Sequence, residues 1–133
     1  MISVTTFDST AESLLDLLQR VKTGDIQLPD FQRDWVWDED RIQRLLVSVS
    51  LSYPIGSLMM LQAGDQNIRF LPRPVKGVSL SQSVQPTRLI LDGQQRMTSL
   101  FQALSKPEPV DTFDFRRTPV RRWFYIDIEK ILD

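Results

Sequence analysis

The chain has 133 residues, 41% hydrophobic and 25% charged, the composition of one globular domain large enough for a single core. Sixteen basic and seventeen acidic side chains leave a net charge of -1, so no overall basic excess marks a nucleic-acid binder, although a local patch stays open. Cys and His are both absent. That excludes disulfides, thiolate zinc sites, Cys nucleophiles, Ser-His-Asp catalysis, HExxH zinc sites and a His-Asn-His nuclease centre within this chain. Chemistry falls to carboxylates, Arg and Lys, amides, hydroxyls, backbone N–H groups or an oxygen-bound metal.

The opening residues lack the basic flank and apolar core of a signal peptide, and no apolar run approaches the roughly 20 residues that span a bilayer. The expected location is therefore the cytoplasm. Ser9-Thr10-Ala11-Glu12 has capping-box spacing and predicts a first helix carrying Ala11, Leu14, Leu15, Leu18 and Val21, ended by Gly24. Ile26-Gln27-Leu28 reads as a strand closed by Pro29, and FQRDWVW (31–37) as an ordered loop pinned by its aromatics. Asp38 caps a second helix with Ile42, Leu45, Leu46 and Val49 on its apolar face, its first turn acidic as the helix dipole favours.

A turn at 52–56 leads to Leu58-Met59-Met60-Leu61, whose continuous apolarity predicts a strand buried on both faces. A weaker strand is expected at 66–71, then a long Pro- and Ser-containing surface loop from 72 to 86. Leu89-Ile90-Leu91 reads as a second buried strand, and Asp92-Gly93 as the turn into a third helix with Met97, Leu100, Phe101 and Leu104 inward. Alternation predicts an edge strand at 122–128, and 129–133 resembles a helix start. The mixed order of about three helices and four or five strands predicts an α+β domain with a small mixed sheet, one domain spanning 1–133. The ending at Asp133 suggests the front piece of a longer protein.

Three segments are candidates for chemistry. LILDGQQRMTSL (89–100) is a strand, a glycine turn and an immediate helix start, which aims unpaired backbone N–H groups at one point where the helix dipole favours negative charge. Asp92, Gln94, Gln95, Arg96 and Thr98 surround that point. Arg96 offers a forked donor suited to phosphate, and Asp92 could hold Mg2+ or orient a water. The plainer alternative is that Asp92 caps the helix and the Gln and Arg side chains are solvated. In LPDFQRDWVW (28–37), Gln32 and Arg33 could face a ligand, while the Trp residues read better as core anchors than as stacking platforms. Arg116, Arg117, Arg121 and Arg122 beside Trp123, Phe124 and Tyr125 could contact nucleic acid, but Asp111, Asp114 and Asp127 dilute the cluster and favour a solvated edge.

LPDFQRDWVW, then RIQRLLVSVSLSYPIGSLMML, then LILDGQQRMTSL, together resemble domain-of-unknown-function family 262, the N-terminal domain of GmrSD-type modification-dependent restriction enzymes and related phage-defence proteins. The resemblance runs from about Leu14 to Leu104. It implies a fold similar to the ParB/sulfiredoxin-like α+β domain, with nucleoside-triphosphate phosphates bound at the strand-to-helix junction. It implies catalytic roles for Asp92, Gln95 and Arg96, and nucleotide binding by Gln32, Arg33, Gly93, Gln94, Arg96 and Thr98, with Mg2+ at Asp92. It also implies a downstream nuclease domain or subunit, DNA as partner of the full-length protein, and scope for oligomers. The family often carries Tyr where this chain has Phe31, so a hydroxyl contact is missing there. The expected function is an NTP-binding and hydrolysing regulatory domain. The alternatives are a non-enzymatic DNA-contacting module and a protein-interaction domain docking through its edge strand.

Overall fold

The computed structural model describes residues 11–52, 56–63 and 71–125. Among them lie three helices and six strands in mixed order, an α+β domain. Helix α1 (Leu14–Thr23) is capped by Ser13, whose hydroxyl accepts from the Asp16 N–H, so the helix starts later than the capping-box spacing implied. Ala11 and Glu12 precede it; Ser9 and Thr10 lie outside the described residues. Leu17, Leu18 and Val21 form its buried face, and Gly24 ends it.

Strand β1 (Ile26–Pro29) is buried at all four positions. It runs parallel to β4 (Arg88–Asp92) and antiparallel to the short β3 (Pro72–Arg73). Strand β2 (Met59–Gln62) pairs antiparallel with β4, giving the sheet order β2-β4-β1-β3. Among the described residues the expected doubly buried strand at 58–61 is instead an edge strand, paired with β4 alone and with Met59 45% exposed. Its apolarity serves one face of a sheet margin. The turn at 53–55 and most of the weak strand at 66–71 lie outside the described residues, while Leu71 is exposed.

Helix α2 (Glu39–Ser50) starts at Asp38, whose Oδ1 accepts from the Arg41 N–H at 2.9 Å. It packs on α3 (Gln94–Leu104), which also meets α1. Ile26, Ile90, Met97, Leu100 and Phe101 join the α1 face and Val75 in the main core. The 72–86 segment is therefore not wholly surface: it supplies β3, and Val75 and Pro86 are buried. Gln27, also buried, ties it down by donating to Gly24 O and Val84 O, both at 2.8 Å. A hairpin of β5 (Val110–Phe113) and β6 (Pro119–Arg122) follows, with Val110 opposite Arg122 and Phe113 opposite Pro119. The edge strand expected at 122–128 is displaced: β6 ends at Arg122, and residues beyond 125 are outside the description. Trp35, Ile42 and Val110 make a second core under the hairpin.

Glu12 and Arg88 form a two-pronged ion pair at 2.6 and 3.2 Å that fastens the chain before α1 to β4. The Arg88 hydrogen bond, aided by charge attraction from Arg88 and Arg20 and opposed by partial burial, holds the Glu12 carboxyl below its ordinary value. A depressed carboxyl adds stability above its unfolded-state pKa and loses it as pH falls through the folded value. Glu12→Gln is expected to cost about 1 kcal/mol near neutrality. Urea denaturation as a function of pH should show this deficit closing as acidification carries the wild-type Glu12 through its titration.

Candidate functional site: the β4–α3 junction

The sharp turn from β4 into α3 is made by Gly93 at φ +94°, a left-handed conformation that a side chain disfavours. Gly93 is itself the N-cap, and no side chain caps the helix. Asp92 is the last residue of β4, exposed, and not a cap as the plainer reading held. The first turn of α3 therefore offers its N–H groups without a side-chain acceptor, beside the positive end of the helix dipole.

Successive residues of that turn point to different neighbours, as a helical 100° step requires. Gln94 is buried and donates from Nε2 to Arg33 O at 2.6 Å, while its Oε1 accepts from Thr98 Oγ1 at 3.2 Å. Gln95 accepts the Val36 N–H at 2.9 Å and donates to Asp34 O at 3.0 Å. Arg96 points elsewhere, donating from Nη2 to Ser57 O at 2.8 Å. A Cβ on Gly56, which has φ +95°, would collide with the Arg96 guanidinium, and one on Gly93 with Leu58. Both glycines are close-approach positions.

The 30–38 loop is held from the other side as well. Gln32 Nε2 donates to Leu91 O at 3.0 Å, and Trp35 Nε1 to Ser99 Oγ at 2.9 Å, with Ser99 Oγ donating on to Gln95 O at 2.7 Å. Trp35 is a buried anchor, as its sequence context implied. Arg73, absent from the residues that sequence reasoning singles out, reaches from β3 to Gln32 O and pairs with Asp34 at 3.1 Å. A pocket of about 250 Å³ opens between Arg33, Arg73, Lys76, Gln94 and Thr98, and the Arg73 Nε there is buried without a hydrogen-bond partner among the described residues.

A family model for the GmrSD restriction endonuclease N-terminal domain matches residues 14–131. The chain belongs to this family. It is similar to the uncharacterized protein MJ0686 of Methanocaldococcus jannaschii, 33% identical over 126 residues that cover 92% of this chain. Those residues are 21% of that relative, so the chain spans about a fifth of its length. No solved structure matches the chain.

In this GmrSD-type domain the eight expected site residues fall into two groups around one helix start. Gln32, Arg33, Gln94, Gln95 and Thr98 lie on the loop side; Gly93 and Arg96 face Gly56, Ser57 and Leu58, with Asp92 between at the strand end. The three glutamines spend their amides on backbone and side-chain partners within the domain. Among the described residues no three acidic side chains gather into a metal site. Asp92 stands as a single exposed carboxylate at the end of β4.

Gln95→Ala removes both clips on the loop, at an expected cost of about 2 kcal/mol from two net hydrogen bonds. Urea titration measures that loss, and amide exchange at Val36 should accelerate while exchange at Val21, in the distant α1 core, follows global stability alone.

Proposed function

We propose that this domain binds a nucleoside triphosphate at the β4–α3 junction and hydrolyses it, as the regulatory module of a restriction-type defence nuclease acting on DNA in the cytoplasm. The observation that carries the reading is convergence: three separated stretches, at 31–35, 56–58 and 92–96, meet around one uncapped helix start where no Cβ crowds the approach. Backbone N–H groups of the first α3 turn cradle phosphate, with Arg33 and Arg96 offsetting its charge. Mg2+, held by Asp92 and the phosphates, would polarise the transferring phosphoryl group. Catalysis of this kind is positioning plus electrostatic stabilisation and needs no histidine.

The glutamines take a positioning role: Gln94 and Gln95 set the height of the Arg33 backbone over the helix, and Gln32 fixes the loop to the end of β4. Thr98 supports Gln94 from inside the helix. The pocket lined by Arg33, Arg73 and Lys76 adjoins this point and offers donors to the sugar or base. The ParB/sulfiredoxin-like likeness belongs to the same proposal. In the intact protein a nuclease portion would read the nucleotide state.

Isothermal titration with ATP, GTP, CTP and UTP in Mg2+ tests the reading. Saturable heat is expected with at least one nucleotide. Arg96→Ala should weaken it roughly 10- to 150-fold, the loss of one charged hydrogen bond of about 1.5–3 kcal/mol. Gly56→Ala, which displaces the same guanidinium, should weaken binding in the same direction. Full affinity in a folded Arg96→Ala protein would remove Arg96 from the site.

A further inference from the structure

Of the four arginines between 116 and 122, two are neutralised inside the domain. Arg121 pairs with Asp111 at 2.8 Å across the hairpin, and Arg122 reaches Glu39 at the start of α2 at 2.9 Å. Arg116 and Arg117 form no ion pair among the described residues. Their guanidinium groups instead lie over the Phe115 and Phe113 rings, 5.2 and 4.8 Å from the centroids.

The tip that carries them is rigidly built. Asp114 Oδ1 accepts the N–H groups of Arg116 and Thr118, both at 2.9 Å, so the acidic side chain is turned back onto its own turn. Backbone bonds between Asp114 and Thr118 and between Arg117 and Asp114 close the loop. Arg117 sits at φ +63°, a position where Gly or Asn costs less. The turn thus places a cation where conformational ease would favour another residue. It also leaves Phe115 80% exposed beside Arg116. Lys76 and Lys106, from outside the hairpin, are close enough to Asp111 to help depress its carboxyl after the dominant Arg121 bond.

We infer that the β5–β6 hairpin is a DNA-contacting element whose tip sets Arg116 and Arg117 on the phosphates of a duplex, with the exposed Phe115 ring beside them as an apolar wedge. A two-stranded ribbon has the width of a groove, and an exposed ring next to cations suits a base step better than a row of stacking platforms would. The inference gives a place to the DNA-directed part of the proposed function and is independent of the nucleotide part.

Fluorescence anisotropy with a labelled 30-base-pair duplex, without nucleotide, tests it at several salt concentrations. Arg116→Ala/Arg117→Gly removes both cations, and glycine suits the backbone at 117. We expect at least tenfold weaker binding and a salt dependence flattened by about 1.8, the value for two lost phosphate contacts. Arg116→Lys/Arg117→Lys should retain most of the affinity, and Phe115→Ala should weaken binding with the salt slope unchanged. No duplex binding by the wild type, wild-type affinity in the folded double variant, or tighter binding to a single strand than to the duplex would each overturn the assignment. Nucleotide titration of the double variant reports on the β4–α3 junction separately.

Discussion

The start of α3 is clamped to the 30–38 loop by side-chain amides, and the rest of the site depends on that clamp. The loop has no regular structure of its own, so its backbone groups need partners from elsewhere. Gln94 and Gln95 provide three of them in a single helical turn, Arg73 provides more from β3, and Gln32 returns a bond to β4. Side-chain amides suit this work because each carries both a donor and an acceptor and remains uncharged when buried. A carboxylate or ammonium in the place of Gln94 would carry a desolvation cost that a neutral amide avoids.

Arg96 is the contrasting member of the same turn. The helical step carries it away from the loop, toward Ser57, and glycine at 56 and 93 leaves space for the guanidinium. One short segment, DGQQR, thereby does two jobs: its glutamines build the scaffold and its arginine borders the helix start. Such division explains how a motif with two consecutive glutamines sits at a helix start without a capping side chain. The end of β4 contributes Asp92 at the only exposed point of an otherwise largely covered strand.

The three helices and both central strands were legible in the sequence because periodicity records burial. Ile42 and Leu45 in α2, and Met97, Leu100 and Phe101 in α3, occupy the inward positions that their spacing implied. The family resemblance groups the FQR and DGQQR stretches, and hydrogen bonds from Gln32, Gln94 and Gln95 tie these stretches to each other. Three things were not legible. The clips join residues some sixty positions apart, such as Gln94 and Arg33, and leave no local period. Met59 to Leu61 looked doubly buried, since an apolar run does not reveal whether a strand has one neighbour or two. The β5 strand and the role of Arg73 escaped because four alternating residues and one arginine resemble ordinary loop and surface composition.

In the proposed function the 30–38 loop and the α3 start are one unit serving one ligand. Backbone amide exchange across 30–38 and 92–98, with and without a saturating nucleoside triphosphate and Mg2+, tests that most directly. Both segments should gain protection together, at the same nucleotide concentration, while the β5–β6 hairpin remains unchanged. Protection of one segment without the other, or of neither at saturation, would contradict it.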